Sequence, residues 1–367
     1  MMFGNIYKDK KVIITGNTGF KGSWLTTWLL ELGANVVGIS DCVPTNPSMF
    51  EELNLRDKIK YYEMDIRNFE QLKEVFVLEK PDFVFHLAAQ AIVSTSYSNP
   101  LETIQVNAMG TAHVLESLRA LTNKCVAIMI TSDKCYENVE WCWGYKETDA
   151  LGGKDIYSAS KAAAEVIIHA YQKSFFADEC GNVKIAVARA GNVIGGGDWA
   201  KDRIVVDCVK SWSKGEVVEI RSPDATRPWQ HVLEPLSGYL ALGQDISSNN
   251  SLHGEAFNFG PRSEQNRTVL ELLEDLSKFW HFDNANEAYS VIENRPFNEA
   301  GLLKLNCDKA LFSMKWQATM NYKSTVSFVS KWYYSFYKEK QNMFDLTNDQ
   351  IKDYSAKALE QELKWTK

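Results

Sequence analysis

One short stretch near the N-terminus constrains the fold of this chain most strongly: residues 11–22, which read KVIITGNTGFKG. Its β-branched first half predicts a buried strand, and Gly16, Gly19 and Gly22 then mark a tight turn. Apolar residues at helical spacing follow, so the turn leads directly into a helix. A strand, a glycine turn and a helix N-terminus can together hold a pyrophosphate, because backbone N–H groups approach it closely where side chains are absent. The alternative is a glycine-rich turn that binds no ligand.

The residues after this helix favour a dinucleotide as the ligand. A second strand is predicted over residues 35–39, and Asp41 follows it, about 20 residues after the last glycine. An acidic residue at this distance contacts the ribose of a bound dinucleotide, and the alternative is a solvated loop carboxylate. The candidate cofactor-binding residues of the turn itself are Gly16, Asn17, Thr18, Gly19, Phe20, Lys21 and Gly22.

Composition excludes several classes of function. The chain has 367 residues, 45% of them hydrophobic, which is enough for one large core or two joined domains. Its net charge of −7 argues against a nucleic-acid surface. No apolar run is long enough to insert into a membrane, and residues 1–10 lack a signal core. Seven cysteines without CxxC pairs indicate reduced thiols and a cytoplasmic protein, and the absence of closely spaced histidines predicts no metal site.

Strands alternate with helices along the first half of the chain. Strands are predicted over residues 61–64, 82–87, 125–130 and 183–189, with helices over 69–79 and 100–121, and a returning strand over 255–259. This alternation predicts an α/β fold with a doubly wound parallel sheet, which binds ligands at the carboxyl ends of its strands. Further cofactor candidates therefore follow these strands: Asp65 (alternatively a helix N-cap), Ile66, Leu87, Ala88 and Ala89.

A second group of polar residues carries the chemistry. Ser132, Asp133 and Lys134 follow the fifth strand, and Tyr157 and Lys161 stand four apart at the start of the next helix, on one face. The ammonium of Lys161 is expected to lower the pKa of the Tyr157 phenol, and Ser132 to hydrogen-bond the reacting oxygen. Such a set removes a proton from an alcohol or sugar hydroxyl while hydride passes to a nicotinamide. The aromatic loop between them, residues 135–155, is either a packed surface loop or a lid.

The later part of the chain carries the substrate candidates. A glycine-rich run over residues 190–199 begins the predicted substrate domain, residues 191–345, which follows a cofactor domain of residues 1–190 with a returning segment over 233–262. Arg203, Arg221 and Arg227 are close in sequence and favour an anionic ligand such as a diphosphate, the alternative being salt bridges to Asp198, Asp202 and Asp224. The substrate-binding candidates are Gln90, Asn192, Arg203, Arg227 and His231. Residues 346–367 form a charged, helix-prone tail of open role.

At this point the residues resemble a known family. TGNTGFKG, DIR at 65–67, HLAAQ at 86–90 and the Tyr157/Lys161 pair resemble the extended short-chain dehydrogenase/reductase family of nucleotide-sugar enzymes. Longer runs, including ITSDKCYEN, GGKDIYSASK and ARAGNVIGGGDWAKDR, resemble its 4,6-dehydratases of CDP-sugars, and the likeness covers about residues 11–262 and, more weakly, up to 335. It implies a Rossmann sheet with a smaller C-terminal α/β domain, an NAD cofactor kept through the cycle, a CDP-hexose substrate, and a homodimer formed by the helices that start at 100 and 157.

The resemblance also implies roles. Tyr157 is the base for C4 oxidation, aided by Lys161 and Ser132; water is then eliminated across C5 and C6, and hydride returns to C6, giving a precursor of dideoxy sugars in bacterial surface polysaccharide. Asp133 maps to the acid of the elimination and Lys134 to the position of its base. An ammonium cannot accept a proton, so Lys134 is neutral during part of the cycle, or stabilises the enolate, or pairs only with Asp133 or Glu137.

Two other functions remain open on the sequence. One is a dehydratase or epimerase of another nucleotide-sugar on the same scaffold, although an epimerase does not need the Asp133–Lys134 pair. The other is a non-catalytic NAD(P)-sensing protein, which would not need Tyr157 and Lys161. The choice between NAD and NADP is also open, because Asp41 would repel a 2′-phosphate whereas Lys21 and Arg67 could attract one.

Overall fold

The protein is represented by a computed structural model that describes residues 2–178, 181–220, 222–262, 265–282, 285–292 and 303–367. Its strands, in chain order, are β1 (Lys11–Thr15), β2 (Asn35–Ser40), β3 (Lys60–Glu63), β4 (Phe83–His86), β5 (Cys125–Ile130), β6 (Val183–Ala190), β7 (Val193–Ile194), β8 (Val218–Ile220), β9 (Thr226–Arg227), β10 (Gln230–His231), β11 (Ala256–Phe259), β12 (Arg267–Thr268) and β13 (Tyr289–Val291).

The helices lie between and after these strands. They are α1 (Phe20–Glu31), α2 (Met49–Glu52), α3 (Phe69–Glu79), α4 (Val93–Ser98), α5 (Pro100–Ile104), α6 (Gly110–Arg119), α7 (Ile156–Phe175), α8 (Ile204–Lys214), α9 (Leu233–Ser248), α10 (Val269–Ser277), α11 (Ala285–Ala288), α12 (Asp308–Met314), α13 (Tyr322–Tyr334) and α14 (Met343–Glu360). In the ranges that the structure describes, none of the helices is long and apolar enough to cross a bilayer.

A seven-stranded parallel sheet forms the centre of the molecule, in the order β11-β6-β5-β4-β1-β2-β3. The order reverses beside β1, so the crevice at the carboxyl ends of β1 and β4 is the place where such sheets bind ligands. Both faces of the sheet are covered, because apolar side chains from alternate strand positions enter two separate cores. The predicted doubly wound α/β fold is confirmed.

The predicted helix over residues 100–121 differs from expectation in one respect. A π-helical turn, Gln105–Met109, separates α5 from α6. The turn carries Asn107, which is buried and donates to the Gln90 carbonyl at 3.1 Å and to Ser160 Oγ at 2.9 Å. The extra residue of the π-turn therefore lies where this helix contacts α7 and the end of β4, next to the candidate site.

The second half of the chain adds three two-stranded pairs, β7 with β10, β8 with β13 and β9 with β12. The charged stretch over residues 346–367 packs against the core rather than extending away from it. Trp365 is buried and stacks on Phe3, with ring centroids 4.9 Å apart, and on Tyr354. Apolar residues at helical spacing on α14 thus outweigh the charges that dominate its composition.

Candidate active site

The end of β5 forms a tight turn that presents three polar side chains. Ser132 caps the 3₁₀ turn Asp133–Cys135: its Oγ accepts a bond from the Lys134 N–H at 3.2 Å and donates to Asp133 Oδ1 at 2.9 Å. Ser132 and Asp133 are buried, whereas Lys134 is half-buried. The strand end thus holds a hydroxyl, a carboxyl and an ammonium group in a row.

Helix α7 brings the second half of the site. Asp155 caps it by accepting bonds from the Ser158 N–H at 2.9 Å and from the Ser158 hydroxyl at 2.7 Å. The chain approaches this helix closely at Gly153, where a Cβ would lie 2.4 Å from the Ala159 nitrogen. Tyr157 and Lys161 are both buried on the face of α7 that meets the β5 end, and Ser132 lies close enough to the phenol to act on its pKa. The structure thus brings together Ser132, Tyr157 and Lys161, as the sequence predicts.

Burial dominates the electrostatics of this pair. It raises the pKa of Tyr157 to about 12, against the hydrogen bond with Ser132 and the charge of Arg203, which lower it. Burial also lowers the pKa of Lys161 to about 8, although Cys135 and Glu165 raise it. The pKa of Tyr157 is therefore raised overall in this structure, because burial of the phenolate raises it by more than Ser132 and Arg203 lower it. The lowering effect of Lys161 itself stays a prediction.

Asp133 has the character of an acid. Burial raises the pKa of its carboxyl, although Lys134, Ser132 and Lys21 each lower it. One of its oxygens, Oδ2, lies 3.2 Å from the position that a Cβ on Gly191 would occupy. A larger residue than glycine after β6 would therefore press on this carboxyl.

Lys21 lies near Asp133 and Lys161, although the sequence predicted it only as a cofactor-binding residue. It lies in the first turn of α1, where burial and the charge of Arg203 lower its pKa to about 8, while Asp133 raises it. Lys161 and Asp198 also act on its charge. Lys21 therefore lies among the groups of the reaction centre, and its position in the glycine turn was the sequence signal that could have indicated this.

The glycine turn has the shape of a phosphate cradle. Gly16 has a φ of +76°, and a Cβ there would lie 2.7 Å from the Ala88 nitrogen. A Cβ on Gly22 would lie 2.1 Å from the Gly16 carbonyl oxygen, whereas one on Gly19 would meet nothing closer than 3.4 Å. Gly19 is the N-cap of α1, so the open space above it adjoins the helix N-terminus. These residues fit a pyrophosphate.

The remaining turn residues fix the loop in place. Asn17 is buried and accepts a bond from Ser40 Oγ at 2.9 Å, while its amide nitrogen has no hydrogen-bond partner within the described residues. Thr18 donates to the Cys42 carbonyl at 2.7 Å, which ties the turn to the end of β2. Phe20 packs towards Gly195, where a Cβ would lie 2.9 Å from the ring.

The candidates around the expected adenosine end are arranged as follows. Asp41 is exposed at the end of β2. Asp65 accepts bonds from the backbone N–H and the Nε of Arg67, both at 2.7 Å, so Arg67 is already engaged by a carboxylate. Ile66 is buried against Gly110, where a Cβ would lie 2.5 Å from its Cδ1. Leu87, Ala88 and Ala89 follow β4 and are half-buried beside the glycine turn.

The substrate candidates divide into two groups. Arg203 lies near Lys21 and Tyr157, and its Nε is 3.3 Å from Asp198 Oδ2, so one of the alternative salt bridges is present. Gln90 donates to Thr103 Oγ1 at 2.9 Å and accepts from the Ile92 N–H at 2.6 Å. The others are half-buried Asn192 after β6 and Arg227, which pairs with Arg267 across β9 and β12; Arg221 lies outside the described residues.

His231 is not brought to this cluster. It is fully buried between the rings of Trp24 and Phe328, with centroids 5.6 Å away on each side, and burial lowers its pKa to about 3. The aromatic loop, residues 135–155, is partly packed and partly exposed. Tyr145 is buried and stacks on Tyr136 with ring centroids 5.2 Å apart, whereas Trp143 is 71% exposed. Within the described ranges, no group of three His, Cys, Asp or Glu residues is placed to hold a metal ion.

Comparison with known proteins identifies the family of the chain. A family profile described as GDP-mannose 4,6 dehydratase matches residues 13–328. The chain is 43% identical over 359 residues to the CDP-glucose 4,6-dehydratase of Salmonella typhimurium, covering 97% of this chain and 99% of that one. It is 25% identical to the CDP-paratose 2-epimerase of Salmonella typhi, covering 74% and 85% of the two chains.

Solved structures share the fold at lower identity. An epimerase from Methanothermobacter thermautotrophicus superposes with a TM-score of 0.78 at 23% identity, covering 92% of this chain and 96% of that one. The NAD complex of dTDP-glucose 4,6-dehydratase from Bacillus anthracis gives a TM-score of 0.72 at 17% identity, covering 91% and 99%. The resemblance seen in the sequence is confirmed, and the chain belongs to the GDP-mannose 4,6-dehydratase family of the extended short-chain dehydrogenases/reductases.

Proposed function

We propose that this protein is a CDP-glucose 4,6-dehydratase, which converts CDP-D-glucose into CDP-4-keto-6-deoxy-D-glucose and water. The observation that carries this is the row Ser132–Asp133–Lys134 at the end of β5, facing Tyr157 and Lys161. Ser132, Tyr157 and Lys161 suit the oxidation of an alcohol. Asp133 and Lys134 add the acid and the cation that the elimination needs. The relative from Salmonella typhimurium, similar over nearly the whole of both chains, supports the same activity.

NAD is the cofactor that fits the glycine turn. Gly16, Gly19 and Gly22 would hold its pyrophosphate at the N-terminus of α1, and Asp41 and Asp65 are the candidates for contacts with its adenosine. Bound there, NAD would supply the chemistry of accepting hydride from C4 of the hexose and returning it to C6. Asp41 would repel the 2′-phosphate of NADP, and Arg67 is held by Asp65, so this chain favours NAD.

Tyr157 removes the proton from the C4 hydroxyl in the oxidation. Its raised pKa makes the phenol a poor donor of its own proton, so it needs the cation of Lys161 and the hydroxyl of Ser132 to hold the phenolate. Both groups are buried beside it, in a site from which the surrounding side chains exclude water. Their interactions are therefore stronger than in solvent.

Asp133 and Lys134 act in the elimination. Once C4 is a ketone, the C5 proton is acidic; the C5–H bond breaks, the C6–O bond breaks, and the C6 oxygen leaves as water with the proton of Asp133. Burial favours the protonated form that this step needs. Lys134 takes the C5 proton as a neutral amine, or holds the enolate oxygen as an ammonium.

The diphosphate of the substrate meets cationic side chains between the two parts of the molecule. Arg203, close to Lys21 and Tyr157, and Arg227 on β9 are the candidates, together with Gln90 after β4 and Asn192 after β6. The two Salmonella relatives described above are named for CDP-sugars, which supports cytosine as the base. A dehydratase of a dTDP-, GDP- or UDP-hexose is the alternative.

The helices α4–α7 also favour a homodimer. Apolar side chains stand exposed along α4–α6, namely Tyr97, Leu101 and Met109 at 72%, 74% and 49%, and Val166 on α7 is 59% exposed. A second copy of the same face would remove them from water. The six described cysteines are free, in keeping with a cytoplasmic protein whose product enters dideoxysugar synthesis for surface polysaccharide.

A substrate panel tests the proposed function. CDP-, dTDP-, GDP- and UDP-glucose would be incubated with the protein and catalytic amounts of NAD, and the 4-keto product scored by its absorbance in base. We expect turnover of CDP-glucose, and loss of it by at least about 100-fold in Tyr157→Phe. Tyr97→Phe, which alters an exposed phenol, is the matched control. Preferential turnover of another nucleotide-sugar would favour the alternative.

A further inference from the structure

A buried ion pair lies directly behind the reaction centre. The guanidinium of Arg189 on β6 donates to Glu165 on α7 through two bonds, Nε to Oε1 at 2.8 Å and Nη2 to Oε2 at 2.9 Å. Their side chains are 5% and 3% exposed. Burying two charges is costly, and an apolar pair of similar volume is often as stable, so stability alone is a weak reason to place such a pair here.

The pair holds both ends of the turn that carries Ser132, Asp133 and Lys134. Thr131, directly before the turn, donates from Oγ1 to Glu165 Oε1 at 2.5 Å. Tyr136, directly after it, accepts a bond from Arg189 Nη1 at 2.7 Å. Neither bond involves a side chain that would touch substrate. The ion pair therefore fixes the turn from behind, on the side away from the substrate.

The pair also sets the charge beside Lys161. Glu165 lies one helical turn after Lys161 on the same face of α7, and its charge acts on that ammonium. The other groups that act on or adjoin Lys161 are Tyr157 on α7, Cys135 after β5, Lys21 on α1 and His86 on β4. Burial raises the pKa of the Cys135 thiol well above its usual value and lowers the pKa of His86 to about 3, so both are neutral near pH 7.

We infer that Glu165 and Arg189 are positioning residues of the reaction centre: they clamp the Ser132–Lys134 turn and keep Lys161 an ammonium. This inference rests on the proposed function, in which the Lys161 ammonium stabilises the Tyr157 phenolate. Glu165 is the anion on α7 nearest to Lys161, and Arg189 balances it so that Thr131 and Tyr136 can be held in a neutral network. Without Glu165, the Arg189 guanidinium would keep its bonds to Tyr136 and to the Glu147 carbonyl but would lose its carboxylate partner, and its charge would oppose that of Lys161.

The test measures Lys161 directly. Protein labelled at the ε-carbon of lysine would be titrated by NMR, with the Lys161 signal assigned by its absence in Lys161→Met. We expect Glu165→Gln to lower the pKa of Lys161 by about one unit, because a nearby anion is lost and a cation is left. Glu165→Gln combined with Arg189→Gln removes both charges and should return the pKa towards that of the unmodified protein. An unchanged pKa in a folded Glu165→Gln variant would overturn the inference.

Kinetics give the second readout. If CDP-glucose is turned over, the alkaline limb of kcat should move to lower pH in Glu165→Gln and recover in the double variant, a pattern that a general loss of structure would not produce. Thr131→Val keeps both charges and removes one end of the clamp, so it should lower kcat while leaving the pKa of Lys161 in place. It also serves where Glu165→Gln does not fold: full kcat in Thr131→Val would then contradict the clamp.

The two proposals fail separately. If no nucleotide-sugar is turned over but the pKa of Lys161 moves as described, the proposed function is wrong while the charge effect of Glu165 stands. If CDP-glucose is turned over and neither the pKa nor the pH profile moves, the proposed function stands and the ion pair has no such role.

Discussion

At the scale of single residues, Lys134 is the most unusual group in the site. It follows the acid Asp133, where the elimination requires a base or a cation, and it is half-buried. We expect Lys134→Ala to keep C4 oxidation and to lose the elimination by about 100-fold or more. Turnover and the exchange of C5 hydrogen with deuterated solvent would be measured together. Lys154→Ala, an exposed lysine before α7, is the control, and full dehydratase activity in Lys134→Ala would sink the idea.

Sequence reasoning identified the residues whose spacing carries their meaning. Ser132, Tyr157 and Lys161 meet because a strand end and a helix N-terminus are adjacent in a parallel sheet, which the order of elements predicts. The same reasoning did not predict that His231 is enclosed in the core, or that Lys21 lies among the groups of the reaction centre. The position of His231 beside arginines gave no sign that Trp24 and Phe328 would enclose it, since those rings come from distant parts of the chain.

At the scale of elements, the glycine turn predicts two different outcomes for two similar substitutions. A Cβ on Gly22 would lie 2.1 Å from the Gly16 carbonyl oxygen, so Gly22→Ala must displace backbone and should lower the melting temperature. Gly19 has an extended backbone, with φ at −72°, and its Cβ would have room. Gly19→Ala should therefore keep the melting temperature but weaken NAD binding by roughly tenfold, because the methyl group enters the cradle.

Thermal unfolding and NAD titration of both variants check this pair. Gly19→Ala binding NAD as tightly as the unmodified protein would show that the pyrophosphate does not approach there. A stable Gly22→Ala would mean that the turn can open, which the contact with Gly16 argues against.

The strands of the central sheet were predictable because each has at least four residues and, apart from the edge strand β3, is mostly buried. The pairs β7–β10 and β9–β12 have two residues per strand, which is too short for any periodicity to appear. Their partners are set by tertiary packing, so the layout of the second half of the chain did not follow from local pattern. The helix-prone character of residues 346–367 was predictable, but the packing of α14 on the core through buried residues such as Leu346 and Tyr354 depends on partners elsewhere in the chain.

At the scale of the whole molecule, the exposed apolar side chains of α4–α7 predict a dimer that a charged substitution on these helices should dissociate. Leu101 on α5 is 74% exposed, and Met109 at the end of the π-helical turn is 49% exposed. We expect Leu101→Glu to shift the protein from dimer to monomer in sedimentation, because a dimer would bury an unpaired carboxylate at that position. Leu78→Glu, at a 67% exposed position on α3, should leave the dimer intact. A dimer that survives Leu101→Glu would place the interface elsewhere.

Two buried histidines should make the stability of the molecule depend on pH below neutrality. Burial lowers the pKa of both His86 and His231 to about 3, from about 6.5 in the unfolded chain. The unfolded state therefore binds more protons between these values, and the free energy of unfolding falls as pH falls from about 6.5 towards 3. Glu234 acts in the opposite sense, because burial raises the pKa of its carboxyl to about 7 and its contribution is lost as pH rises from 4.5 through 7.

These opposing effects give the stability curve a distinct shape. Between about pH 4.5 and 6.5 Glu234 offsets part of the loss from the histidines, and below pH 4.5 the loss steepens, up to an upper bound of roughly 4–5 kcal/mol per histidine. His231→Phe keeps a ring between Trp24 and Phe328 but removes one titrating group, so its unfolding free energy should fall less steeply with acid. Urea unfolding from pH 7 down to 4 would measure the slopes, with exposed His281→Asn as the control. Equal slopes in His231→Phe and the unmodified protein would show that His231 is charged within the core, which its enclosure by two aromatic rings opposes.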